Sequence, residues 1–213
     1  MSHPLVRAKL QHFADRGKYI KGVVHVGAND GEEIEWYLHQ LWTPIWAIEP
    51  LPRAYDLLVG HYGSHPEVVC SNFALGNQNG LLPLYEDLTG TGKGTAAGHT
   101  FPTEGHDWTV TRPYAAEPIH VPSFRADSID WPVRATEVNA LVVDAEGMEL
   151  KVLQGFGESL QYFSYLNIEC SERPTYRDQA PAQEVVDFLA ARGFRQDSPI
   201  QTHDDIFFVK EGA

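Results

Sequence analysis

The stretch VVHVGANDG at residues 23–31 decides how the chain is read. Val23, Val24 and Val26 belong to an apolar run that predicts a strand over 22–26, buried on both faces. Gly27 and Gly31 then bracket Ala28, Asn29 and Asp30. Residues 32–41 follow with Ile34, Tyr37, Leu38 and Leu41 at helical intervals and acids in the first turn. A strand that turns through glycines into a helix is where open α/β sheets bind nucleotide-like ligands. Small residues let the backbone come close to such a ligand, and the helix start offers free N–H groups. Glu49 closes the next strand, expected over 44–49, where a carboxylate can accept hydrogen bonds from both ribose hydroxyls. The spacing G-x-x-x-G departs from the three-glycine G-x-G-x-x-G of dinucleotide sites, which favours a ligand without a pyrophosphate.

Outward from this stretch the periodicity predicts a helix over 53–61 and a strand over 67–75, so the first half reads β-α-β-α-β. An N-terminal helix is expected over 4–16. Strands over 80–87 and 119–124 flank a stretch rich in Gly, Thr, Pro and His, residues 89–118, which carries no clear period. A loop of that length in a compact domain reads as a substrate-side lid. Regular structure resumes with a strand over 140–144, a helix over 148–156, a strand over 165–170 and a helix over 182–192. Strands over 194–201 and 206–210 form a closing hairpin. No repeat divides the 213 residues, a length suited to one domain.

Composition narrows the classes of partner. The net charge is −13 and the Lys and Arg residues are scattered singly, so a phosphate backbone would be repelled and no nucleic-acid substrate is expected. No run approaches the roughly 18 apolar residues of a membrane span, and no signal peptide is apparent. Two cysteines, Cys70 and Cys170, sit in expected strands without metal-ligand spacing. A soluble, cytoplasmic enzyme with no membrane partner is the expectation; the oligomeric state is not legible.

The glycine turn with Glu49 fits either a nicotinamide-dependent oxidoreductase or a methyltransferase. Three segments resemble the FkbM-type methyltransferases: Val26-Gly27-Ala28-Asn29-Asp30-Gly31, Ala47-Ile48-Glu49-Pro50, and the run from Val142 through Asp144-Ala145-Glu146-Gly147-Met148-Glu149-Leu150 to Gly155. Weaker agreement occurs at Ala74-Leu75-Gly76, Ala126-Asp127-Ser128-Ile129 and Asn167-Ile168-Glu169. The resemblance implies a Rossmann-like class I methyltransferase fold: a seven-stranded, mostly parallel sheet with an antiparallel last strand and helices on both faces. It implies S-adenosylmethionine as cofactor and O-methylation of a hydroxyl on a small metabolite such as a sugar, glycan or polyketide. By position, Gly27, Ala28 and Asn29 would line the methionine part of the cofactor. Glu49 would hold the ribose with Pro50 beside it, and Asn72 or Ala74 would lie near the adenine. His25, counted with this set, stands where many members carry an acid. A catalytically inactive cofactor-binding or partner module is the rival reading, with the oxidoreductase behind it.

Asp144, Glu146 and Glu169 are expected at adjacent strand ends, facing the crevice that Gly27 faces. Together they could hold a divalent metal that orients a hydroxyl, or one of them could serve as a general base. The structural alternative is that Glu146 caps the helix beginning at Gly147 and Glu169 pairs with Arg173. Asp144 is the first candidate for catalysis; His99 and His106, on the 89–118 loop, stand behind it because an imidazole titrates near neutrality.

Overall fold

Four-residue runs without polar alternation, VVHV, IWAI and ALVV, form the centre of the fold as strands covered on both faces. The computed structural model describes residues 15, 19–86, 98–99, 115, 117–172, 176, 179–200 and 204–212. Up to the second sheet their order is β1 (Val23–Val26), α1 (Ile34–His39), β2 (Ile45–Ile48), α2 (Pro52–Tyr62), β3 (Val68–Ser71) and β4 (Ala74–Leu75). There follow β5 (Gly80–Glu86), β6 (Gly98–His99), β7 (Ile119–Phe124), β8 (Ala140–Val143) and α3 (Glu149–Phe156). The chain closes with β9 (Tyr165–Cys170), α4 (Ala182–Ala190), β10 (Phe194–Gln196) and β11 (Asp204–Lys210). Apart from Asp15, the helix expected over 4–16 lies outside the described residues.

Seven strands form one sheet in the order β3-β2-β1-β8-β9-β11-β10. All are parallel except β11, which runs antiparallel to both its neighbours. This is the expected α/β sheet with its antiparallel last strand. The chain moves from β1 outward through β2 to β3, then returns to the far side of β1 at β8. That reversal puts the topological switch point between the C-terminal ends of β1 and β8. Val26 lies opposite Val143, so Gly27 and Asp144 leave the sheet side by side.

Helices α3 and α4 cover one face, where Val24, Val26, Leu141 and Ile168 meet Val152, Phe156, Val185 and Leu189. Helices α1 and α2 cover the other, where Val23, Ile45, Ala47 and Val142 meet Ile34, Tyr37 and Leu58. Burial of each such side chain contributes about 1.5–3 kcal/mol, and burial on both faces makes a one-residue register slip costly. Gly155 shows how closely α3 packs: a Cβ there would lie 2.0 Å from the carbonyl oxygen of Gly76.

The strand expected over 67–75 is in fact two. Asn72 turns its Nδ2 to the carbonyl oxygens of Glu49 and Pro50, at 2.9 and 3.2 Å, and pairing with β2 ends there. β4 then enters a second sheet, ordered β4-β7-β5-β6, which also takes the strands expected over 80–87 and 119–124. Within the stretch expected to be a substrate-side lid, Gly98 and His99 pair with Glu86 and Tyr85 of β5. Most of that stretch lies outside the described residues. Among the described residues, no helix is long and apolar enough to cross a membrane.

Candidate active site

The glycine turn is built by two strand ends that nearly touch. Gly27 has φ +83°, and a Cβ on it would lie 1.7 Å from the carbonyl oxygen of Asp144. Its N–H and that of Ala28 both donate to the carbonyl of Ile48, at 2.9 and 3.1 Å, so the turn is fastened to β2. Glu49, 5% exposed, completes the fastening. Its Oε2 accepts the N–H of Asn29 at 2.9 Å and its Oε1 the N–H of Leu51 at 2.8 Å. Burial pushes the Glu49 carboxyl up to about 7 even though both N–H groups favour its charge.

A cleft of about 970 Å³, including its open mouth, runs along these strand ends. Its lining divides chemically. Phe73, Ala74, Leu75, Leu82, Leu84 and Met148 are apolar, and Leu82 and Leu84 come from the second sheet. Asp30, Glu32, Glu33, Asp144 and Glu146 are acidic. The strand order sets the sequence along the edge: apolar residues after β3, Glu49 after β2, Gly27 after β1, and Asp144 after β8. An elongated ligand with an apolar aromatic end, a diol and a cationic end matches that order.

Of the residues expected at a cofactor, Gly27, Asn29, Glu49, Pro50 and Ala74 line the cleft. Ala28 is wholly buried and packs into the core beneath α1 and α2. Asn72 is exposed and holds the backbone of Glu49 and Pro50 instead. His25 is not in the lining: it is 2% exposed, with its Nδ1 3.4 Å from the Tyr37 hydroxyl. Burial lowers its pKa to about 4, so the ring is neutral. Sequence reasoning passed over the apolar wall, because Leu82 and Leu84 come from a sheet it did not foresee. It also passed over Glu33, read there as an acid placed for the helix dipole.

Asp144, Glu169 and Asp205 leave adjacent strands at the same level, since Val143 lies opposite Ile168 and Glu169 opposite Asp205. Asp144 and Glu169 are close enough to act on each other's charge, and one proton between the two carboxyls would join them. Burial, then the neighbouring charge of Glu169, raises Asp144 well above its ordinary range. Burial, then Glu146, raises Glu169 to about 7. Glu146 itself receives the hydroxyl of Tyr176. Among the described residues, no three His, Cys, Asp or Glu side chains are grouped to hold a metal ion. Asp144 and Glu169 stand as a carboxyl pair, and Glu146 is engaged separately.

The turn before α3 is held by Glu149 rather than Glu146. Its Oε1 accepts the N–H groups of Ala145 and Gly147 at 3.2 and 2.9 Å, while Glu146 stands at φ +49°. His99 contributes its backbone to β6; His106 and Arg173 lie outside the described residues.

The raised acids make stability depend on pH. Glu33 and Glu49 titrate at about 7 in the folded chain against 4.5 unperturbed, chiefly through burial. Below the lower value both states keep the protons, and the contribution is complete. Between the two values the unfolded chain releases protons first, so stability falls as pH rises, by up to roughly 3 kcal/mol per carboxyl. The Tm of the ligand-free protein is therefore expected to decline from about pH 5 to pH 8, with Glu49→Gln removing part of the decline. Differential scanning fluorimetry across that range tests this; a Tm that climbs with pH contradicts it.

Residues 25–196 match the family model of the methyltransferase FkbM domain. Among solved structures, a proposed RNA methyltransferase, PH1948 from Pyrococcus horikoshii, aligns with a TM-score of 0.52 at 11% identity, covering 97% of this chain and 84% of that one. The N-terminal domain of human METTL16, in complex with SAH, aligns with a TM-score of 0.51 at 9% identity, covering 99% of this chain and 71% of that one. At such identities the likeness is one of fold. No curated protein matches the chain.

Proposed function

This chain belongs to the FkbM-domain methyltransferases, and from that premise we propose that it uses S-adenosylmethionine to methylate a hydroxyl of a small acceptor. The observation that carries the reading is Glu49, a buried carboxylate in the cleft wall, fixed by two backbone N–H groups beside the glycine turn. Its remaining acceptor capacity suits a ribose diol. The apolar residues beyond β3 suit an adenine, and Gly27 leaves room for the chain joining ribose to methionine. S-adenosylmethionine supplies a methyl group on a sulfonium, open to in-line displacement.

The acids at the β8 and β9 ends supply what a hydroxyl acceptor needs. The Asp144–Glu169 pair receives the hydroxyl's proton as its oxygen takes the methyl group. Burial of the pair beside the switch point restricts water and orients the acceptor, and such alignment carries much of the rate of a displacement. A base positioned in this way adds about 10²–10⁴-fold. We assign selection of the acceptor to the 89–118 stretch, of which Gly98 and His99 pair with β5.

A small acceptor is favoured over RNA, although one structural neighbour is named for RNA. A net charge of −13 and an acidic cleft lining oppose a phosphate backbone. The free thiols Cys70 and Cys170 are in keeping with a reducing, cytoplasmic location. Calorimetry with S-adenosylmethionine, S-adenosylhomocysteine and NAD, followed by transfer of labelled methyl to a panel of sugars, other alcohols and RNA, tests the reading. Binding of both adenosyl ligands and transfer to an alcohol are expected. Binding of NAD alone sinks the cofactor assignment, and transfer to RNA alone sinks the acceptor assignment.

A further inference from the structure

The cofactor's amino-acid end carries an ammonium group, and the residue at position 25 does not face it. His25 is neutral, buried against Tyr37 and absent from the cleft lining. Asp144 is engaged with Glu169. With the adenosine end at Glu49 and the apolar wall, the strand order brings the methionine end to the β1–β8 side of the cleft, where α1 begins.

An acceptor stands there. Glu33 lines the cleft, and among the described residues its carboxylate takes no hydrogen bond beyond its own N–H. Among the described residues, the charged groups that act on it, Glu32, Asp205 and Asp30, are all acids. A half-buried carboxylate that faces the cleft, with only acids acting on it, asks for a positively charged group with N–H donors. We propose that Glu33 receives the ammonium of the cofactor's methionine part. The inference rests on the methyltransferase reading and adds to it a residue that compensates for the histidine at position 25.

The test compares two ligands that share the adenosine and differ in the amino acid: S-adenosylhomocysteine has the ammonium, and 5′-methylthioadenosine lacks it. In Glu33→Gln, calorimetry is expected to show S-adenosylhomocysteine binding weakened by about 10-fold or more. Binding of 5′-methylthioadenosine is expected to stay within about twofold of wild type, which also reports that the variant is folded. Glu35→Gln removes an equal charge from the exposed face of α1 and is expected to change neither affinity. Equal losses for both ligands in Glu33→Gln, tighter S-adenosylhomocysteine binding, or the same loss in Glu35→Gln would each overturn the inference. If wild type binds neither ligand, the methyltransferase reading fails first, and the inference falls with it.

Discussion

Asp144→Asn is expected to lower kcat by about 10²–10⁴-fold while leaving the affinity for S-adenosylhomocysteine within a few-fold of wild type. Asparagine keeps the shape of the side chain and can still hydrogen-bond Glu169, so the strand ends remain in place. What it loses is the capacity to take a proton. The neighbouring acid offers a finer test of the same role. The charge of Glu169 helps to hold Asp144 above its ordinary range. Glu169→Gln removes that charge, so the proton leaves Asp144 more readily and the acid limb of kcat/KM should move to lower pH. The limb in the wild type belongs to the pair rather than to either residue. A stopped assay across pH, with label transfer as readout, measures both variants. Full turnover in Asp144→Asn would remove the pair from the chemistry and return the search for a base to the 89–118 stretch.

The parts of the site that were legible in the sequence are those made by the backbone near one strand end. Gly27, Asn29 and Glu49 could be placed because a buried strand, a glycine turn and the next strand's last residue lie close in sequence and have fixed geometry. The strand order followed from the same alternation of apolar runs and helical periods. The failures share one cause, which is that tertiary partners decide them. Whether His25 faces ligand or core depends on Tyr37 from α1, 12 residues away. Whether 67–75 is one strand depends on Asn72 reaching back to the carbonyls of Glu49 and Pro50. Asp144, Glu146 and Glu169 looked alike as acids near strand ends. Only the pairing of the first with the third, and the hydroxyl of Tyr176 on the second, told them apart. The second sheet was hidden because β4 has only two residues, too few to show a period.

Gly27→Ala is the substitution expected to damage the fold most for its size. Two costs add. The first is the positive φ of +83°, which an L side chain adopts at about 1–2 kcal/mol. The second is contact: the new Cβ would stand 1.7 Å from the carbonyl oxygen of Asp144 and 2.8 Å from its carbonyl carbon. Both are backbone atoms of the residue that follows β8, so no rotamer change relieves them and the ends of β1 and β8 must part. Overpacking of that kind costs about 1–3 kcal/mol or more, for a total of about 2–5 kcal/mol. Gly193→Ala separates the two costs, because Gly193 also has a positive φ, +79°, but a Cβ there meets nothing within 4 Å. Urea unfolding of the two variants should show a small loss at Gly193 and a much larger one at Gly27. Equal losses would mean that backbone conformation alone requires the glycine, and that the close approach of the two strands does not. If Gly27→Ala folds, its turnover should fall further than its stability suggests. Parting β1 from β8 moves Asp144 away from the turn that receives the cofactor, and a displacement reaction is sensitive to shifts of about 1 Å.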